Sequence, residues 1–285
     1  MRKSKKSRVS KEEMGALAKR IDESLVSFLR GGRYKEVLLL MGNLNRYSLL
    51  NQLYILCQFP SATHVAGIKE WNRLGRRVKR GEKGIKIYQP LCRKKEGKEE
   101  GVYGFRIGYL FDVSQTEGEE LKGFDLDEER LVSEKGRILL GLRKALERHG
   151  YSFTFVGEED LGEDCYGLCD HKRRMVKVKE GMGDLQTIST LVHECGHALA
   201  HGEKRKDFEG LGVNERREIK EVEAESIACI VCARLGLETE DFNFSYIAAW
   251  AKGDIAKFRK NLELVSLYAK ELIESIEEER GENDE

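Results

Sequence analysis

The chain has 285 residues, with 50 basic side chains, 50 acidic side chains and 40% apolar residues. This length suits one large or two ordinary domains, and the composition is typical of a soluble globular protein rather than a disordered one. Its longest apolar runs, such as Val37–Met41 and Ile227–Ala233, are far too short to cross a bilayer. The basic N-terminal arm is not followed by the apolar segment that a secretory signal needs. We therefore expect a cytoplasmic protein without a membrane partner.

The net charge of zero hides two oppositely charged halves. Residues 1–120 contain 25 Lys and Arg against 14 Asp and Glu, whereas residues 121–285 contain 25 against 36. A basic half is what the phosphate backbone of a nucleic acid attracts. The sequence therefore predicts two domains with different partners, 1–122 and 123–285, separated near an acidic, loop-like stretch at residues 117–129.

The spacing of apolar residues predicts a mainly helical first half. A helix is expected over residues 11–30, because apolar side chains recur there every three or four positions until Gly31 and Gly32 end the run. Further helices are expected over residues 34–44, 48–58 and 66–74. Residues 84–90 and 102–113 are expected to be strands of a hairpin, joined by a charged loop at residues 93–101.

The second half is predicted to mix helices and strands, so the expected fold class is α+β. A helix over residues 131–149 precedes a strand at 151–156 and a hairpin of strands 168–170 and 175–179. Asp184 is the expected N-cap of a helix that ends at His201. Later helices are expected near residues 216–235, 246–251 and 254–279.

Residues 193–197 read His-Glu-Cys-Gly-His on that predicted helix. A spacing of four puts the imidazoles of His193 and His197 on one face, one turn apart, as two ligands of one metal require. Glu194 lies one step round, where it can act as general acid and base on a water molecule. This is the H-E-x-x-H pattern of zinc proteases, and it predicts a zinc-dependent peptidase with Zn²⁺ as cofactor. The alternative is a surface helix that carries these side chains by chance.

A catalytic zinc site needs a third protein ligand. His201 is excluded because eight residues span about 12 Å of helix, and we expect it to be a cation at the helix end. Glu221 is the predicted third ligand, and Glu225, one turn further on the same face, the predicted acceptor for a ligand imidazole. Glu223 is expected to point away. The reverse roles of Glu221 and Glu225, and a merely solvated acidic face, are left open.

Two features are candidates for substrate handling. An edge strand commonly aligns the substrate of a zinc protease, and the strand at residues 175–179 is the candidate here. Tyr246 is a candidate for stabilising the oxyanion, although no spacing supports it.

The cysteines offer two less favoured metal sites. Cys165 and Cys169 precede His171, but their context reads as a strand and no second pair completes a four-ligand set. Cys229 and Cys232 lie in an apolar helical run, which favours buried thiols.

Basic side chains in residues 69–98 are interspersed with aromatic ones. Cations that follow a phosphate backbone, with aromatic rings on which bases stack, are typical of a protein that binds single-stranded DNA. The predicted DNA-binding residues are Arg73, Arg76, Arg77, Lys79, Arg80, Lys83, Lys86, Trp71 and Tyr88. The alternative is a solvated basic face with Trp71 in the core.

Both halves resemble one protein family. Tyr47–Leu53, Gln58–Gly67, Trp71–Ile85 and Phe111–Thr116 are similar to the N-terminal domain of the ArdC antirestriction family. The resemblance implies binding of single-stranded DNA, and the domain also occurs in plasmid primases of the TraC type.

The second half resembles the zincin-like metallopeptidase domain of the same family in the stretches His193–His197 and 221–226. It is more distantly similar to the ImmA/IrrE peptidases, whose third metal ligand is a Glu three residues before an Ala. That pattern places the ligand at Glu221.

The resemblance implies an ArdC-like DNA-binding domain over 1–122 and a gluzincin-like peptidase domain over 123–285. It also implies a protein of a plasmid or other mobile element that protects incoming DNA from restriction. The leading hypothesis is a DNA-associated zinc peptidase with an unknown protein substrate. The alternatives are a DNA-shielding protein with a structural metal site, and a regulatory peptidase that cleaves a repressor.

Overall fold

The computed structural model describes residues 11–95, 98–121, 128–237 and 255–281. It divides into two compact units, one of residues 1–31 and 43–123 and one of residues 32–42 and 124–285. The sequence pattern does not predict that residues 32–42 belong to the second unit. The predicted helix at 246–251, with Tyr246, lies outside the described residues. None of the helices in the described ranges combines the length and apolarity needed to cross a bilayer.

Eight helices are described, and most follow the predicted positions. In chain order they are α1 (Lys11–Arg30), α2 (Tyr34–Asn43), α3 (Leu49–Gln58), α4 (Ile68–Arg73), α5 (Glu128–Arg148), α6 (Asp184–His201), α7 (Val213–Leu235) and α8 (Ile255–Arg280). Helix α1 forms because its apolar residues make one stripe, and Leu17, Ile21 and Leu25 from this stripe are buried.

Within the described residues, the strands form three small sheets. In chain order the strands are β1 (Val65–Ala66), β2 (Arg76–Val78), β3 (Ile85–Lys95), β4 (Lys98–Asp112), β5 (Thr116–Gly118), β6 (Ser152–Val156), β7 (Gly167–Asp170) and β8 (Met175–Lys179). The sheet orders are β1-β4-β3, β2-β5 and β6-β8-β7.

The hairpin of β3 and β4 is longer than predicted. Its antiparallel ladder runs from Ile85 opposite Leu110 to Lys95 opposite Lys98, with irregularities near Cys92. The prediction of a loop over residues 93–101 is therefore wrong for most of that stretch.

Two amide side chains of α3 cover the outer edge of β3. Asn51 donates to the carbonyl of Tyr88 at 2.9 Å and accepts from its N–H at 2.8 Å. Gln58 makes the same pair of bonds with Lys86, at 2.9 Å each. Asn51 and Gln58 thus occupy the backbone groups that an edge strand would otherwise leave exposed.

The sheet of the second unit is mixed, with β8 in its centre. Strand β6 pairs parallel with β8, and β7 pairs antiparallel with the other edge of β8. The prediction that residues 175–179 align a substrate is therefore wrong, because both edges of β8 are already paired. The edge strand that faces α6 is β7, whose Gly167 lies against Glu194.

Candidate metal centre

Helix α6 carries the His-Glu-Cys-Gly-His sequence. Its N-cap is Gly183 rather than the predicted Asp184, which is the first helical residue and pairs with Lys135 at 2.5 Å. The carbonyl of Gly183 instead accepts a hydrogen bond of 2.9 Å from the hydroxyl of Thr187. Buried apolar side chains, including Ile188 and Leu191, fix the opposite face of the helix in the core.

A close approach of α6 and α7 brings the two halves of the site together. A Cβ on Gly196 would lie 3.1 Å from the Cα of Ala224, so the helices meet where both residues are small. Glu221 lies one turn before Ala224 on α7 and therefore reaches the imidazoles of α6.

The side chains of His193, His197 and Glu221 converge on one point. The two Nε2 atoms are 3.0 Å apart, and Glu221 Oε2 lies 3.6 Å from that of His193 and 3.3 Å from that of His197. Ligands about 2.0–2.1 Å from a tetrahedral ion would be separated by about 3.3–3.4 Å. In the described part of the chain, this is the one group of three metal-ligating side chains with ligand atoms within 4.8 Å of one another.

The charges of the site favour binding of a cation. Hydrogen bonds with His193 and His197 hold the pKa of Glu221 well below its usual range, so it is a carboxylate. Burial lowers the pKa of His193, but the hydrogen bond with Glu221 and the carboxylate of Glu194 raise it overall. A cation at this point would take the place of the proton that His193 shares with Glu221.

Glu194 lies beside this group in a confined space. Its side chain is buried, and desolvation raises the pKa of the carboxyl despite the nearby imidazoles. A backbone hydrogen bond from Cys169 on β7 opposes that rise. A buried carboxyl with a raised pKa is suited to accepting and returning a proton.

Glu225 is near enough to His193 for the imidazole to influence its carboxyl. It is half-buried, and desolvation raises its pKa to about 7, with His193 as the largest opposing influence. Among the described contacts, no hydrogen bond joins Glu225 to either ligand imidazole. Its assigned role as an acceptor stays a prediction.

His201 and Glu223 differ from the predictions made for them. His201 is buried, and burial lowers its pKa to about 4, so it is not a cation at the helix end. Its Nδ1 lies 3.1 Å from Nδ1 of His197, and its Nε2 lies 2.9 Å from Oε2 of Glu223. Glu223 is only 1% exposed and is paired with Arg205. The repeat of His at 193, 197 and 201 was the available signal, since all three lie on one helix face.

The cysteine sites keep their structural interpretation. All seven cysteines are free thiols, and Cys229 and Cys232 are buried in α7. Cys169 Sγ lies 3.7 Å from His171 Nδ1, which also contacts the hydroxyl of Tyr151 at 2.9 Å.

The structure removes the two aromatic residues from the predicted DNA-binding set. Trp71 is 1% exposed, packs against Phe111 and donates its indole N–H to the Phe111 carbonyl at 2.8 Å. Tyr88 is buried against Tyr54, with ring centroids 5.5 Å apart. Neither ring is available to stack on a base, because both are buried in the core.

Three basic residues of the set make bonds within the protein, and two of these, Arg73 and Lys79, are exposed all the same. Arg76 donates to Thr116 Oγ1 at 2.8 Å and to nearby carbonyls, Arg73 pairs with Glu70, and Lys79 donates to the Ser114 carbonyl. The side chains of Arg77, Arg80, Lys83 and Lys86 are exposed.

Sequence reasoning missed a row of exposed residues on β4. Ile107 and Tyr109 are 38% and 56% exposed and share a face of the strand, and Tyr103, which is 41% exposed, lies at the irregularity near Cys92. Tyr109 is the register partner of Lys86 on β3, so an aromatic ring and a basic side chain lie together on that face. The alternation of residues 103, 105, 107 and 109 in the sequence was the signal that could have identified them.

Solved structures and a curated protein show similarity to this chain. The metal-free crystal structure of the antirestriction protein ArdC from the R388 plasmid matches with 18% identity and a TM-score of 0.48, covering 81% of this chain and 86% of that one. Its Mn(II)-bound structure matches with 17% identity and the same TM-score, covering 84% and 86%. The uncharacterized protein pXO2-81 of Bacillus anthracis is 24% identical over 288 residues. The match covers 85% of this chain but only 47% of that protein, about half its length.

The N-terminal residues match a known domain family. The sequence profile of the N-terminal domain of anti-restriction factor ArdC matches residues 18–125. These residues include β2, β3 and the segment between them, which carry the exposed side chains of Arg77, Arg80, Lys83 and Lys86. Over residues 18–125, the chain is therefore similar to the N-terminal domain of anti-restriction factor ArdC.

Proposed function

We propose that the protein is a zinc-dependent peptidase that binds single-stranded DNA and acts in antirestriction. The observation that carries the peptidase proposal is the convergence of His193, His197 and Glu221 beside the buried Glu194. A structural metal site would have no need of a general base at that position.

The ligand set fits Zn²⁺ in type and spacing. Two imidazoles and one carboxylate are the protein ligands of a class of catalytic zinc sites that leave one position open. A Zn²⁺ ion held there would supply Lewis acidity toward a peptide carbonyl and a water molecule. The competing ion to test is Mn²⁺, since the ArdC of R388 has a Mn(II)-bound crystal structure.

The residues around the ligands support peptide hydrolysis. Glu194 accepts a proton from the attacking water and returns it to the leaving amine nitrogen. Strand β7 pairs through one edge with β8, and its Gly167 lies against Glu194. An extended substrate peptide can add to the other edge of β7 by backbone hydrogen bonds, which would place its scissile bond near Glu194.

The test is hydrolysis of a library of quenched fluorescent peptides by the full chain loaded with Zn²⁺. We expect the wild type to cleave members of the library and Glu194→Gln to lose at least 100-fold in rate, on the order of what a general base contributes. Glu194→Gln is expected to keep its metal content, whereas Glu221→Ala is expected to lose most of it. Full metal occupancy in Glu221→Ala would instead assign the third ligand to Glu225.

Antirestriction is tested separately from hydrolysis. The efficiency with which unmodified DNA enters a restricting host is measured in three conditions: with the wild type, with Glu194→Gln and without the protein. Equal protection by wild type and Glu194→Gln would favour DNA shielding over proteolysis. The absence of any zinc-dependent cleavage by the wild type would contradict the peptidase proposal.

Binding of single-stranded DNA rests on the exposed face of the β3–β4 hairpin. Tyr103 and Tyr109 present aromatic rings there, and Lys86 places a cation beside Tyr109. Stacking of a base on an aromatic ring contributes about 1–3 kcal/mol, and phosphates pair with the cations.

The affinity of the full chain for a labelled oligothymidylate tests this surface. Tyr109→Ala is expected to weaken binding about 5- to 150-fold, the equivalent of one lost stacking contact. Leu140→Ala, which truncates an exposed side chain of α5 in the other unit, is the matched control. Unchanged affinity in Tyr109→Ala and Tyr103→Ala would exclude this face.

A further inference from the structure

We infer that Arg205, Glu223 and His201 form a chain of positioning residues that fixes the imidazole of His197 for metal binding. This inference rests on the proposed metal site. It assigns a role to one residue expected to be a helix-end cation, one expected to point away, and one that the sequence did not single out.

With a metal bound to His197, only one placement of the ring protons gives each hydrogen bond between His197, His201 and Glu223 a donor and an acceptor. A metal at Nε2 of His197 requires the proton of that ring to lie on Nδ1. Nδ1 of His197 then donates to Nδ1 of His201, 3.1 Å away. His201 must therefore carry its own proton on Nε2, which donates to Oε2 of Glu223 at 2.9 Å. Each donor meets one acceptor, ending on a carboxylate.

Arg205 holds the carboxylate at the end of the chain. Its guanidinium contacts both oxygens of Glu223, with the Nη2 to Oε1 distance at 3.0 Å. It is itself fixed by a 2.6 Å ion pair with Asp207 and by the ring of Phe208, whose centroid lies 4.4 Å from its Cζ. The loop between α6 and α7 thus packs onto Glu223, and both carboxyl oxygens of Glu223 have partners although the residue is buried.

The position of Glu223 on α7 links these three positioning residues to the metal ligands. Helix α7 carries Glu221 and Glu223 two residues apart, so one contacts the proposed ion and the other contacts His201. In many metal sites a carboxylate accepts directly from the ligand imidazole, and loss of that partner lowers metal affinity about 10- to 100-fold. Here the imidazole of His201 lies between the Glu223 carboxylate and the ligand His197. The carboxylate therefore supports metal affinity through two imidazoles instead of one.

The test is the metal affinity of the full chain, measured for Zn²⁺ against a chelator of known affinity and for Mn²⁺ directly. Glu223→Gln keeps the shape of the side chain but removes its charge, and we expect affinity to fall about 10- to 100-fold. Glu218→Gln is the matched control, because it removes the same charge from an exposed position of α7. Arg205→Lys keeps the positive charge with fewer donors and should have a smaller effect in the same direction.

A spectroscopic readout separates positioning from a general loss of structure. The ¹⁵N chemical shifts of the His197 ring report which nitrogen carries the proton. We expect the Nδ1–H form in the metal-free wild type and a mixture of forms in Glu223→Gln, with unchanged backbone signals in α6. The same proton distribution and metal affinity in Glu223→Gln and Glu218→Gln would overturn the inference.

The outcomes also separate this inference from the proposed function. A wild type that binds neither metal contradicts the metal site, while the ¹⁵N shifts still decide the role of the chain. A loss of affinity in Glu225→Gln with none in Glu223→Gln would assign the positioning role to Glu225 instead.

Discussion

Gly167 on β7 leaves the space that the side chain of Glu194 occupies. A Cβ at position 167 would lie 2.8 Å from Cγ and 2.9 Å from Oε1 of Glu194, and 2.7 Å from Cγ2 of Thr190. Real Cβ atoms do not make contacts that short, so Gly167→Ala must displace the carboxylate. Catalysis depends on placing such a group within about 1 Å. We expect the rate of peptide cleavage to fall about 100-fold while zinc content stays unchanged.

The control for this substitution is Gly183→Ala, since a Cβ at position 183 meets nothing within 4 Å. Its backbone has a negative φ of −59°, which alanine accepts. It should retain most of the cleavage rate. Equal rates in Gly167→Ala and wild type would show that Glu194 does not need this space.

Two glycines of α5 are expected to respond oppositely to the same substitution. A Cβ at Gly141 would lie 2.6 Å from the Cα of Ile276 and 2.7 Å from the Ser275 carbonyl oxygen, so Gly141→Ala must separate α5 from α8. Such overpacking costs about 1–3 kcal/mol. A Cβ at Gly136 meets nothing within 4 Å, and Gly136→Ala should stabilise the helix by about 0.5–1 kcal/mol.

Thermal unfolding of the full chain, with both variants at the same protein concentration, tests this pair. The midpoint should fall in Gly141→Ala and rise slightly in Gly136→Ala. A midpoint in Gly141→Ala at or above that of the wild type would contradict the close contact of α5 and α8.

The grouping of His193, His197 and Glu221 could be predicted largely from helix geometry. The i, i+4 spacing of His193 and His197 fixes their common face, and the same rule identified Glu221 as a candidate ligand, which the structure brings to the same point. The role of Glu223 could not be found in this way, because the imidazole that donates to it lies on another helix and the arginine that pairs with it lies on a loop. Helix periodicity describes one helix at a time and contains no information on how two helices cross.

The basic surface shows a different limit of sequence reasoning. Charge density is visible in the sequence, but burial of an individual aromatic ring is not. Trp71 and Tyr88 fit the sequence pattern of a protein that binds single-stranded DNA, but both are buried in the core. The long β3–β4 hairpin was underestimated because glycine and charged residues at 93–101 are typical of a loop when cross-strand pairing is unknown.

Adjacent arginines on β2 should have different roles. Arg76 is bonded to Thr116 and to backbone carbonyls of the next segment, whereas Arg77 is exposed. Arg77→Ala should weaken binding of oligothymidylate and reduce the slope of log affinity against log salt by about 0.7, as for one lost phosphate contact. Arg76→Ala should leave that slope unchanged and instead lower the unfolding midpoint. Anisotropy titrations at several salt concentrations measure the slope, and a reduced slope in Arg76→Ala alone would reverse the assignment.

The amides of α3 that cover the edge of β3 differ in burial, and this predicts different costs for removing them. Asn51 and the backbone groups of Tyr88 are buried, so Asn51→Ala leaves an N–H and a carbonyl without partners or water, at about 1–3 kcal/mol each. The bonds between Gln58 and Lys86 are exposed, so water can replace the amide in Gln58→Ala at about 1 kcal/mol or less. Hydrogen exchange of the full chain measures both sites. Protection of the Tyr88 amide should fall far more in Asn51→Ala than that of the Lys86 amide in Gln58→Ala. Equal losses would mean that α3 does not shield the edge at Asn51.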